Sequence, residues 1–499
     1  MLNTRASGVL LHVTCLPSAY GVGVMGGEAK RFIKKIKDMG FSYWQVLPLN
    51  PTDPYGSPYA SNGAFAIAEF LIDPEGLLAM GLVERGDVEK CRYHGSPYTA
   101  DYAFAADTRR ALLRTAYRRA DSALWEKVEA FCAEAPWCEG YSLYCVLKEK
   151  NGGKPWYAWD KEEAVFATAE QNIEKYAEEQ RFFKFAQYIA YTQWQDIKQY
   201  ANEHGVKILG DMPIYVSADS ADVWSNPALF ELDRRTFARK RVAGVPPDYF
   251  SENGQLWGNP LYDWDAMERD GYRWWIQRIR AALKLYDTVR IDHFRAFASY
   301  WAVPADAQTA KTGEWLEGPG MRLFDAIRAE IGEAQIVAED LGVFGEDVVQ
   351  LLEDTRFPGM RVIQFGFDPD GDSTHLPHNY PANCVAYVGT HDNNTLLGYL
   401  WEASARERKF ALDYCGFSGE NWGEGGYHSP SCRKIIETVW RSGAKLAVIA
   451  FQDMCGFGAD ARMNTPGRAA GNWLYRTTAE TIAQVDAAYF QHINSIFKR

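Results

Sequence analysis

Eight short apolar runs recur along the chain, at 8–14, 41–49, 206–216, 288–294, 335–341, 360–367, 384–390 and 445–451. Between them lie stretches of amphipathic, helix-period sequence, as at 28–39, 181–204, 271–285, 321–331 and 431–441. Strands without polar alternation are buried on both faces, the mark of a parallel sheet covered by helices. Strand-helix alternation of this kind predicts an α/β fold, a (β/α)8 TIM barrel. A doubly wound open sheet is the runner-up, since the same alternation builds it. At 499 residues the chain accommodates a single barrel over 1–499 with insertions. Two stretches interrupt the rhythm. Residues 75–180 are charged, aromatic and helical in period, and read as an inserted, mainly helical subdomain. Residues 218–266 are rich in Pro, Gly and aromatics, and read as an inserted loop subdomain. One helix over 478–497 is expected to close the chain.

Three of the apolar runs end in carboxylates: Thr288-Val289-Arg290-Ile291-Asp292, Ile336-Val337-Ala338-Glu339-Asp340, and Ala386-Tyr387-Val388-Gly389-Thr390-His391-Asp392. In a parallel barrel, strand ends meet on one face around one pocket. Two carboxylates flanking a sugar can cleave a glycosidic bond, one as nucleophile and one as acid/base. Strand alternation points Arg290 and Asp292 the same way. An Arg beside a carboxylate favours its ionised form, as a nucleophile requires. The same pair also serves as a structural ion pair inside a barrel. Glu339, at the end of a buried strand, is placed for the raised pKa a general acid needs; neighbouring Asp340 competes for that role. His391 and Asp392 can bind sugar hydroxyls and stabilise positive charge, or cap a helix. Asp211 closes the third run as a fourth acid, either fixing loops or touching substrate.

The net charge of −12 argues against nucleic acid or an anionic membrane as main partner. The nine cysteines are odd in number, scattered and without a CxxC pair, so reduced thiols in a cytosolic protein are expected, with no zinc site. No N-terminal apolar stretch is long enough for a signal peptide, and no run reaches membrane-span length. A cytoplasmic protein is expected. Gly21, Gly23 and Gly26 fit the spacing of a dinucleotide fingerprint, but six residues, Cys15–Ser18 among them, separate them from the first strand; close loop approach or a tight turn is the better reading. His375 and His378 have a metal-like spacing in a Pro-rich loop without partner ligands. No metal or cofactor is expected.

Ordered motifs then accumulate: Gly56-Ser57-Pro58-Tyr59, Gly210-Asp211-Met212-Pro213-Ile214-Tyr215, Gly244-Val245-Pro246-Pro247-Asp248-Tyr249-Phe250, Gln255-x-Trp257-Gly258-Asn259-Pro260, Arg290-Ile291-Asp292-His293-Phe294-Arg295, Ala338-Glu339-Asp340-Leu341-Gly342, Thr390-His391-Asp392-Asn393 and Arg462-Met463-Asn464-Thr465-Pro466-Gly467. Over essentially its whole length the chain resembles the 4-α-glucanotransferases (amylomaltases, disproportionating enzymes) of glycoside hydrolase family 77. The resemblance implies a retaining transfer of α-1,4-glucan segments to another glucan or glucose. It implies Asp292 as nucleophile, Glu339 as acid/base and Asp392 as transition-state stabiliser. Arg290, His391, Asp211 and Tyr59 would line the subsite of the sugar under attack. His293, Ser57 and Asn464 would add substrate contacts. Tyr249, Phe250 and Trp257 would belong to a loop covering the groove. The chain departs from the pattern at Arg468-Ala469-Ala470, where smaller or hydroxylated residues are expected. Two other readings remain open: a hydrolase with the same acids and water as acceptor, and a non-catalytic glucan-binding barrel.

Overall fold

Each of the eight apolar runs overlaps a strand in the computed structural model, which describes residues 4–247, 252–342, 345–468 and 470–499. The strands are β1 Ala6–Leu10, β2 Tyr43–Gln45, β3 Lys207–Met212, β4 Thr288–Ile291, β5 Ile336–Ala338, β6 Gly359–Val362, β7 Cys384–Tyr387 and β8 Leu446–Ala450. They form one parallel sheet in the order β6-β7-β8-β1-β2-β3-β4-β5. Sequential neighbours pair, and β1 pairs with β8. The remaining seam, β5 to β6, is bridged by the Ala338 N–H donating to the Pro358 carbonyl at 2.9 Å. The Asp340 carboxylate adds to that seam by accepting from the Met360 N–H at 2.5 Å and from Arg361 Nη1 at 2.8 Å. The sheet is therefore a barrel, and the open doubly wound alternative is excluded.

The helices cover the barrel through apolar stripes. Helix Gly27–Asp38 buries Ala29, Phe32, Ile33 and Ile36, the i, i+3, i+4, i+7 face, and leaves its Lys and Arg side chains outward. Each such Ile or Phe contributes about 1.5–3 kcal/mol by leaving water. Helix Pro430–Arg441 does the same with Ile435, Ile436, Val439 and Trp440. The expected closing helix at 478–497 is instead two, Ala479–Gln484 and Ala487–Ile496. The break falls at Asp486, whose side chain accepts from the Tyr489 N–H and starts the second helix. Asn494 in that helix accepts from Ser7 Oγ and Trp440 Nε1 and donates to the Met39 carbonyl, fastening the chain end to the barrel floor.

Between β2 and β3 the chain is mainly helical, including Tyr102–Arg118, Ser122–Glu134, Trp137–Lys150 and the 27-residue helix Ala177–Glu203. Between β3 and β5 it builds a second, four-stranded antiparallel sheet in the order Gln255–Pro260, Arg241–Val245, Ser299–Pro304, Glu314–Glu317. The 218–266 stretch is thus not loop alone. The sheet's other two strands, Ser299–Pro304 and Glu314–Glu317, come from beyond β4. Ser299–Pro304 is half-exposed and pairs with the distant Arg241–Val245, and the mostly exposed Glu314–Glu317 pairs with it in turn.

Candidate active site

Strand register sets the first pair. Asp211 on β3 lies directly across from Arg290 on β4. Arg290 is 3% exposed and Asp211 2%. Arg290 Nη1 donates to both carboxylate oxygens of Asp211 at 2.7 Å, and Nη2 donates to Asp292 Oδ1 at 2.8 Å. Tyr59, from the loop after β2, donates its hydroxyl to Asp211 Oδ2 at 2.7 Å. A buried carboxylate is thereby fully engaged, and its guanidinium partner reaches on to a second acid at the barrel mouth. Burial raises the Asp292 pKa, while Arg290 opposes the rise.

Glu339 follows β5 and is 8% exposed. Its oxygens accept from the His293 N–H at 2.7 Å and the Leu341 N–H at 2.6 Å. Burial, reinforced by the Asp292 charge, nevertheless pushes its pKa up to about 8. Of this neighbouring pair, Asp292 has a guanidinium bonded to it and Glu339 does not, so Glu339 holds the proton at neutrality. The His293 N–H is presented by a left-handed backbone, φ 53° and ψ 47°, which a residue with a Cβ holds only under strain. Trp257 stands edge-on to the His293 ring, 4.7 Å between centroids, and so reaches this corner of the site from the second sheet. Burial holds the His293 imidazole neutral, near 3.

The third acid, Asp392, is clamped from several sides. Asn464 Nδ2 donates to its Oδ1 at 2.5 Å, and His391 Nε2 lies 3.3 Å from its Oδ2. Arg462 donates to the Asp392 carbonyl at 2.6 Å and to the Asn464 carbonyl at 2.7 Å. The Asp392 side chain remains 42% exposed, open to a ligand. His391 stacks on Tyr59, 5.2 Å and 15° apart, and Trp473 tilts against both rings. Tyr59 therefore ties the Asp211–Arg290–Asp292 group to the His391–Asp392 group. Arg462 and Trp473 escaped the sequence reading as site residues. Arg462 lies inside a motif that was recognised, but Trp473 is brought in by the tertiary fold alone.

Other expectations resolve differently. Ser57 precedes Tyr59 on its loop, and among the described residues its hydrogen bonds stay in a turn organised by Asp53, which accepts the Ser57 N–H at 2.8 Å. Tyr249 and Phe250 lie outside the described residues. Asp340 does not compete with Glu339, because it is spent on the β5–β6 seam. Gly23 packs so closely that a Cβ there would lie 2.0 Å from the Val13 carbonyl oxygen, which accounts for the glycine without a nucleotide. His375 Nδ1 accepts from the Val362 N–H, and His378 pairs with the Tyr414 hydroxyl. Among the described residues no group of three or more His, Cys, Asp or Glu is placed to hold a metal ion.

A family model described as 4-alpha-glucanotransferase matches residues 11–481. The chain belongs to this family. The 4-alpha-glucanotransferase of Thermus thermophilus is 43% identical, covering 95% of this chain and 94% of its own. That of Clostridium butyricum is 39% identical, covering 98% and 100%. Among solved structures, the amylomaltase of Streptococcus agalactiae in complex with acarbose superposes with a TM-score of 0.94 at 36% identity, covering 99% of both chains. In this 4-α-glucanotransferase the acids stand where the barrel strands end, as the family's glycoside hydrolase chemistry requires. Among the described residues no helix is long and apolar enough to cross a membrane.

Proposed function

We propose that Asp292, Glu339 and Asp392 divide the chemistry of this enzyme as nucleophile, acid/base and charge stabiliser. The enzyme is a retaining 4-α-glucanotransferase. Glu339 gives its proton to the glycosidic oxygen while an Asp292 oxygen attacks the anomeric carbon. The reducing-end fragment leaves and a β-linked glycosyl ester remains on Asp292. Glu339, now ionised, takes the proton from an acceptor 4-hydroxyl, whose oxygen attacks the same carbon and releases Asp292. Two inversions give net retention. Asp392, held by Asn464 and beside His391, faces the oxocarbenium-like charge that develops between these states.

The observation that carries this reading is the split between two neighbouring carboxyls. Arg290 keeps Asp292 available as an anion, and burial holds the Glu339 proton up to a pKa of about 8. Arg290, Asp211, Tyr59 and His391 form the wall that receives the sugar under attack; Asn464, His293 and Ser57 belong to its surroundings. We read the substrates as maltodextrins and related α-1,4-glucans, with glucose among the acceptors and no nucleic acid or membrane partner. The 218–266 insertion, with Trp257 and the stretch containing Tyr249 and Phe250, serves as the cover of the groove and limits water. The nine free thiols suit a reducing compartment, and we place the enzyme in the cytoplasm.

Incubation with maltotriose tests the reading. Glucose plus longer maltodextrins at a constant number of reducing ends is the expected outcome; rising reducing ends without longer products would make it a hydrolase. Asp292→Asn should lower turnover roughly 10⁴-fold or more. Turnover left intact in that variant would remove Asp292 from the nucleophile's role.

A further inference from the structure

Next to the turn that carries His391 and Asp392, the chain keeps a buried acid with no part in the reaction. β8 runs directly into a short helical turn, Phe451–Met454, in which both Gln452 and Asp453 are buried. The two side chains share one small cavity of about 20 Å³ with His12, His391, Asn394 and Arg462. Burial pushes the Asp453 pKa up to about 7, and among the described residues no cation pairs with it. A buried acid without a counter-ion is a poor way to stabilise a fold. What Asp453 holds is more informative than what it costs.

Asp453 Oδ1 accepts from the Leu396 N–H at 2.7 Å. Leu396 opens the helix Leu396–Glu402, whose first N–H groups have no partner inside the helix. Residues 390–394, with His391 and Asp392 among them, lie just before it. The other end of this turn is equally near: a Cβ on Gly389 would stand 3.6 Å from Asp453 Oδ2. Gln364, beyond β6, ties the same two ends together by donating to the Val388 carbonyl at 3.3 Å and the Asn394 carbonyl at 3.1 Å. Within the turn, Asn393 Oδ1 accepts from the Thr390 N–H at 2.9 Å and the Thr390 hydroxyl at 2.8 Å. The turn is thus braced internally and held at its ends. Gln452 acts on the facing segment. Its Nε2 donates to the Ala461 carbonyl at 3.2 Å, and the next residue, Arg462, donates to the Asp392 carbonyl. Two adjacent side chains at the end of β8 therefore hold both segments that meet at Asp392.

We propose that Asp453 and Gln452 are positioning residues for Asp392, Asp453 by anchoring the 390–396 segment through Leu396 and Gln452 by anchoring the Arg462 segment through Ala461. The proposal rests on the reading of Asp392 as charge stabiliser. A misplacement of about 1 Å costs a catalytic group on the order of 100-fold in rate. Stabilisation of developing charge is felt in the transition state and little in the bound ground state. Loss of either anchor should therefore appear in kcat and not in KM.

The test is maltotriose disproportionation by the full chain, with kcat and KM separated, at a temperature well below the Tm of every variant. Asp453→Leu fills the same space without an acceptor, and kcat should fall roughly 10–100-fold with KM within about threefold of the parent. Asp453→Asn keeps an oxygen for the Leu396 N–H and should restore kcat to within about threefold. Gln452→Met removes the donor to Ala461 and should give the same kcat-specific loss, which keeps the test intact where Asp453→Leu does not fold. Parental kcat in Asp453→Leu or Gln452→Met would overturn the proposal, as would an equal loss in Asp453→Asn and Asp453→Leu. Asp392→Asn is measured alongside. Intact turnover there would remove the stabiliser reading and the proposal with it, whereas its collapse beside parental kcat in the anchor variants would remove the positioning role alone.

Discussion

Arg290 lies across the β3–β4 ladder from Asp211 and binds both of its carboxylate oxygens through one nitrogen, leaving the other nitrogen for Asp292. One guanidinium thus neutralises a buried acid and orients a second one at the barrel mouth. Removing it strands the Asp211 charge in the barrel. Arg290→Met should destabilise the fold by about 3–5 kcal/mol in urea unfolding, with loss of activity. Adding Asp211→Asn should recover part of the stability and none of the activity, because Asp292 still lacks its partner.

Glu339 should set the alkaline limb of the rate profile. In the acid role proposed for it, it must be protonated to release the leaving group, and its pKa is pushed up to about 8. kcat/KM should therefore fall tenfold per pH unit above that value. A profile flat to pH 10 would assign the proton to another group.

The same group links stability to pH. Its folded pKa is raised above the ordinary carboxyl value, so its contribution is present at low pH and is lost as pH rises through about 8. Glu339→Gln carries no such charge. The Tm of this variant minus that of the parent should become more positive between pH 5 and pH 9, measured by calorimetry.

Asn464 fixes Asp392 by a 2.5 Å hydrogen bond from a separate loop. Asn464→Ala should lower kcat by about 10–100-fold, the equivalent of a charged hydrogen bond of ~1.5–3 kcal/mol, with little change in Tm. A change confined to KM would instead make Asn464 a binding contact.

Trp257 connects the second sheet to His293, whose N–H donates to Glu339. Trp257→Ala should raise the ratio of hydrolysis to transfer by opening this corner to water, as read from reducing ends against product length. An unchanged ratio would separate the second sheet from acceptor selection.

The barrel was legible in the sequence because its strands are buried on both faces and its helices on one, and these patterns are local. All eight runs became strands in sequential order, and the carboxylates at 292, 339 and 392 were marked by position at the runs' ends. Tertiary structure alone decided the rest. The closure of β5 onto β6, the clamp of Arg462 and Asn464 on Asp392, and the stacking of Tyr59 on His391 join residues far apart in the chain. So does the pairing of the strand at 299–304 with that at 241–245. The sequence by itself determined where the eight strands would lie and that the acids at 292, 339 and 392 would stand just beyond three of them. Which carboxyl keeps a proton depends on burial and on the reach of one guanidinium, and these exist only once distant segments have packed together.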